Sequence, residues 1–149
     1  MKKIFFALAV ALVVIQFIQI DQTNPTVDES QDFLKTHNPS PEIAAQIKAS
    51  CYDCHSNEST YPWYANVQPA GWFLKHHIDE GRHELNFSEF GSYSTKKQAH
   101  KLEESIELIE KGEMPLSSYT IMHKEAVLDD DAKTALVEYF KSIQKSIQE

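Results

Sequence analysis

An all-helical domain is what the sequence predicts, on three observations. Apolar residues recur at three- and four-residue spacing in several separate stretches, residues suited to capping stand in front of those stretches, and no run of alternating residues is long enough for a strand. The mean hydropathy is negative despite an apolar start, so the rest of the chain is markedly polar and short of apolar side chains for a core. A prosthetic group would supply the missing apolar surface.

The first stretch decides the compartment. Lys2 and Lys3 precede Ile4 to Ile20, a run without charge whose polar residues are Gln16 and Gln19. A basic flank followed by an apolar run is an export signal. As a helix those residues would span roughly 26 Å, close to the thickness of a bilayer core. The residues before Asp21 are Phe17, Ile18, Gln19 and Ile20, and a cleavage site wants small side chains there. The expectation is an uncleaved transmembrane anchor over 1–20. The domain would then lie on the periplasmic side of a bacterial inner membrane, or be exported if the signal is cut. Residues 21–38 are polar, contain Pro25 and show no period, which reads as a linker. The domain proper is expected over 39–149.

That domain opens with Ser40 as N-cap, Pro41 at the first helical position and Glu42 near the positive end of the helix dipole. Ile43, Ile47, Cys51 and Cys54 follow at helical spacing, so one face carries aliphatics and thiols together. Cys51-Tyr52-Asp53-Cys54-His55 is the most specific stretch in the chain. Two thiols three positions apart, with an imidazole next, form the C-x-x-C-H signature of covalent haem c attachment. Both sulfurs can meet the vinyl groups of one haem, and His55 supplies a nitrogen ligand for its iron. Structural zinc is disfavoured, because it needs four ligands and the chain has two cysteines. A thioredoxin-like dithiol belongs at the start of a helix, whereas this pair follows one. A disulfide between such close cysteines would close too short a loop to stabilise much.

After the motif come Tyr61, Trp63 and Tyr64, large aromatics expected to wall the haem. Pro69 starts a further helix holding Trp72, also expected against the haem, and Gly81 is expected to cap its end. Arg82 is a candidate partner for a haem propionate, since a guanidinium suits a carboxylate. Residues 86–90 resist assignment. Thr95 and Gln98 resemble a capping box ahead of the stripe Ala99, Leu102, Ile106 and Ile109, and Gly112 ends that helix. Asp129 is placed to cap a last helix with Ala132, Leu136, Phe140 and Ile143 facing inward.

The second axial position on the iron separates an electron carrier from a ligand-binding site. Met114 has the best local setting: Gly112 stops a helix and Pro115 cannot continue one, so its thioether sits on a stiffened turn. Met122 or His123 is the runner-up, followed by His76 or His77. Formal net charge is −8, which excludes nucleic acid as a natural partner and is compatible with docking a basic redox protein.

The order helix, Cys51 to His55, Gly112-Glu113-Met114-Pro115 and an acidic start to a closing helix resembles class I cytochrome c. More narrowly, Cys51 to Asn57, Tyr61-Pro62-Trp63-Tyr64, Gly81-Arg82, Leu85-Asn86-Phe87-Ser88 and Gly112 to Pro115 resemble the small bacterial haem-binding domain family. That resemblance implies a membrane-anchored, mono-haem c-type domain of cytochrome c-like fold, with His55 proximal and Met114 distal. It implies no named reaction. One-electron transfer is the leading expectation, a haem-based sensor or small-ligand binder the second, and haem peroxidase activity the third. The first makes the protein a carrier rather than an enzyme.

Overall fold

The computed structural model describes residues 1–149 and contains eight α-helices and no strand. They are α1 Lys2–Ile15, α2 Phe33–His37, α3 Pro41–Ile47, α4 Asp53–His55, α5 Ala70–Glu84, α6 Thr95–Glu110, α7 Ser117–Thr120 and α8 Asp130–Gln148. The expected caps act where their chemistry allows. Ser40 accepts from the Ile43 amide, and Asp129 from the Ala132 amide at 2.8 Å. Gly112 takes φ +71° just past α6, a left-handed turn that costs glycine nothing. The α6 cap is Ser94 rather than Thr95: the Ser94 hydroxyl accepts from the Lys97 amide, and Gln98 donates instead to the Phe90 carbonyl.

Two long amphipathic helices, α6 and α8, pack along each other and supply six of the fourteen residues of the main core. Leu102, Ile106 and Ile109 meet Leu136, Val137 and Phe140, joined by Ile47, Tyr52, Phe87 and Phe90. The stretch 86–90, unassigned by periodicity, belongs to a 3-10 helix, Phe87–Ser92, capped by the Asn86 side chain. Three residues per turn put Phe87 and Phe90 on one face, and both are fully buried. A smaller cluster of Ala65, Leu74 and Ile78 lies beside α5.

Two expectations for the N-terminal third are corrected. The apolar helix α1 stops at Ile15, and no helix is long and apolar enough to cross a membrane. Its 14 residues rise roughly 21 Å, well short of a hydrocarbon core about 30 Å thick. What ends it is polar capture: Gln16 exchanges two hydrogen bonds with the Gln68 backbone, each 2.9 Å, and Trp72 Nε1 donates to the Ile18 carbonyl. The linker expected over 21–38 is laid onto the domain. Phe33 is fully buried among Phe87, Phe90 and Phe140, and buried Asp32 caps α2 while accepting from the Tyr52 hydroxyl at 3.1 Å. Polar composition concealed this, because Val27 and the adjacent pair Phe33-Leu34 in a polar stretch make no periodic signal.

Candidate functional site

The motif lies at the end of one continuous helical run. Residues 48–52, between α3 and α4, form a π-helix, the wider turn that often marks functional positions. Tyr52 points the other way, into the core, stacked on Phe87 at 5.6 Å between ring centroids. Asp53 fastens two neighbouring loops: its side chain accepts from the Thr60 amide at 2.8 Å and from the Tyr119 hydroxyl at 2.7 Å. The motif's two middle residues are therefore structural, one anchoring the core and one the flanking loops.

Cys51, Cys54 and His55 open onto a cavity of about 540 Å³ between the motif, the C-terminal half of α5, α6 and the 114–119 turn. Its walls are mostly apolar, including Leu85, Phe87, Leu108, Ile109, Met114, Leu116, Leu128 and Phe140. That size and character suit a large apolar ligand. Both thiols are free. Burial pushes Cys51 up to about 12, with the neighbouring Cys54 adding to it, and pushes Cys54 up to about 11. Each is a neutral S–H at physiological pH.

His55 is held by its inner nitrogen. Nδ1 lies 2.9 Å from the Gly81 carbonyl and 3.1 Å from the Leu85 carbonyl. Two carbonyls can only accept, so Nδ1 carries the proton and the Nε2 lone pair is free. Burial lowers the imidazole's pKa against these two bonds, which pull the other way, so the ring is kept neutral. This is how a metal-ligating histidine is usually oriented. Gly81 makes the approach possible. It is buried within α5 rather than capping it, and a Cβ there would stand 2.6 Å from the Cys54 carbonyl oxygen.

The sequence-expected residues divide cleanly. Met114 lines the cavity with Cys51, Cys54 and His55, and of the other axial candidates only His77 does so. His123 is occupied elsewhere: Nε2 pairs with the Tyr64 hydroxyl at 2.8 Å and Nδ1 with Glu125. Met122 is exposed, as is His76. Tyr61, Trp63, Tyr64 and Trp72 line no part of the cavity. Trp63 is 71 % exposed, Tyr61 and Tyr64 pack on the small cluster beside α5, and Trp72 is tied to Ile18. Arg82 also lies outside. Its Nε donates to the Ser56 carbonyl and its Nη2 to Asn24 and Ser59, so it clamps the loop behind the motif.

Aromatic walls come instead from Phe87, Tyr119 and Phe140, and the cations at the rim are Lys101 and Lys111. The α6 contribution had a visible signal. Lys101, Glu104, Ser105, Leu108 and Lys111 recur at helical spacing beside the apolar stripe, a second face one step round the helix. Tyr119, on the single turn of α7, and Leu128, from irregular chain, left none.

The donor set suits a haem: two unpaired thiols at attachment spacing, an imidazole with Nε2 free, a thioether and apolar walls, all on one cavity. No curated protein and no solved structure matches the chain. The haem-binding domain family matches residues 10–142, nearly the full length, and the chain belongs to that family.

Proposed function

We propose that the protein is an extracytoplasmic c-type haem protein that transfers single electrons. The observation that carries this reading is the convergence of Cys51, Cys54, His55 and Met114 on one apolar cavity. When bound, a haem supplies reversible one-electron exchange at iron. The chain's own residues do the rest. Cys51 and Cys54 would hold the haem through two thioethers, each formed by adding S–H across a vinyl group, sulfur to one carbon and hydrogen to the other. His55 presents Nε2 to the metal while Gly81 and Leu85 fix the ring. Met114 would offer a second ligand from the same cavity, a thioether sulfur, and the apolar side chains exclude water. Lys101 and Lys111, already paired with Glu104 and Glu107, are the rim cations able to meet propionates.

Lys2 and Lys3 ahead of an apolar run support export. We place the domain at the outer side of a bacterial inner membrane, where its acidic surface favours a basic redox partner. A ligand-binding or sensing role differs only at the Met114 position.

The test is expression with haem-attachment machinery, followed by denatured mass and absorption spectra in both oxidation states. We expect one covalent haem per chain and a reduced protein that resists carbon monoxide. Met114→Ala should lower the reduction potential and admit carbon monoxide. Colourless protein of bare polypeptide mass overturns haem attachment. Ready carbon monoxide binding by the unaltered reduced protein moves the reading to a sensor or ligand binder.

A further inference from the structure

Outside the thiols and His55, one other group of side chains has the makings of a ligand set. His76, His77 and Glu80 each offer one donor atom, and these atoms all lie within 4.8 Å of one another. The helix explains the grouping. At about 100° per residue, Glu80 falls between the two histidines around α5 and one turn further on. Side chains on a helix lean toward its N-terminus, so Glu80 reaches back over both imidazoles.

We infer that His76, His77 and Glu80 form a binding site for a divalent transition-metal ion of the zinc and copper class, at the border of the haem cavity and separate from the donors Cys51, Cys54, His55 and Met114. Two imidazoles and a carboxylate are the donors such ions prefer, and three protein ligands leave a fourth position open to water or a partner's side chain. A tetrahedral ion with ligands at 2.0–2.2 Å needs about 3.4 Å between donors. His76 Nε2 and Glu80 Oε2 already stand 3.4 Å apart. His76 and Glu80 are exposed and free to rotate inward, and the His77 ring is braced by the edge of Phe73 at 4.3 Å between centroids.

Charge singles out this cluster. Glu80 makes no ion pair with a lysine or arginine, and the lysine on the same helix, Lys75, is paired with Asp79. The comparable pair on α6, His100 and Glu104 at 3.3 Å, has no third donor, and Glu104 is neutralised by Lys101 at 2.8 Å. His77 and Glu80 also border the cavity, so a bound ion would offset the carboxylate at its rim.

The test is calorimetric titration of the full, haem-loaded chain with zinc chloride, repeated for four variants. We expect one ion per chain, with affinity reduced tenfold or more by His76→Ala, by His77→Ala and by Glu80→Gln. His100→Ala should leave it unchanged, and excess magnesium should not displace zinc, because magnesium prefers all-oxygen sites. The altered side chains are exposed or half-buried, and Glu80→Gln keeps shape while removing charge, so a retained helical circular dichroism signal separates lost ligands from lost fold. The proposal is overturned by absence of saturable one-to-one uptake, by unchanged affinity in the three site variants, by equal loss in His100→Ala, or by displacement with magnesium. The same titration on the haem-free chain distinguishes a separate site from iron ligation by His77, which also borders the cavity: uptake lost only when haem is bound assigns His77 to the iron and overturns the separate site.

Discussion

His55 and the two thiols set opposite limits on the pH range in which the haem-free protein is stable. The His55 pKa is lowered in the fold by burial, so as pH falls through about 6.5 the unfolded chain takes up a proton that the native chain refuses. His37, likewise lowered by burial against Phe33, acts in the same direction. Their contribution is present above the unfolded value and lost as pH drops. Cys51 and Cys54 are raised, so unfolded thiols ionise from about pH 8.5 upward while native ones do not, and stability is lost as pH rises. Urea unfolding across a pH series should therefore show a plateau from about pH 6.5 to 8.5 that falls on both sides, with the alkaline fall reduced in a Cys51→Ala variant. A stability that climbs steadily through pH 10 would sink this account. That these three residues meet on one cavity was legible in their spacing. Their neutrality was not, because it arises from burial in the finished fold, nor was the tautomer of His55, which is fixed by the Gly81 and Leu85 carbonyls, and backbone groups leave no mark on a residue pattern.

Between elements, the decisive contact is the crossing of α5 against the motif helix, and Gly81 sets its distance. An added Cβ would meet the Cys54 carbonyl oxygen at 2.6 Å and the Cys54 Cβ at 3.2 Å, and backbone cannot swing aside as a long side chain can. Gly81→Ala should cost roughly 1–3 kcal/mol, the range for overpacking a fitted contact, and should loosen the Nδ1 bonds of His55. Denaturant unfolding reads the first effect, and a changed reduction potential of the loaded protein reads the second. A variant as stable as the parent, with an unshifted potential, would show that the helices can part freely. In the sequence Gly81 resembles a helix stop, since glycine at a C-cap and glycine at a close crossing are the same letter. Only the packing distinguishes them. The amphipathic helices α6 and α8 were legible almost to their caps, because a long stripe averages over many positions, whereas Trp63 and Trp72 were misplaced by reasoning from size alone.

At the scale of the whole molecule, the chain ahead of the motif is part of what holds the motif in place. Phe33 touches Phe87, Phe90 and Phe140 at centroid distances of 5.0 to 5.8 Å, and Asp32 receives the hydroxyl of Tyr52 from inside the motif itself. Further up the chain, Asn24 and Thr26 bind Ser59, Arg82 and Asn57, closing the loop that comes after His55. A domain cut at residue 39 would expose Phe87 and Phe90 and leave the Tyr52 hydroxyl without its carboxylate. Such truncated protein should fail to unfold cooperatively, while a chain beginning near residue 21 should keep its transition. Phe33→Ala, which removes one fully buried ring, should cost about 3–5 kcal/mol in the intact chain. Thermal and urea unfolding of the three proteins, monitored by near-ultraviolet circular dichroism, decides the matter. If the fragment from residue 39 melts as sharply as the full chain, the N-terminal segment is only a tether, and the cavity beside the motif stands without it.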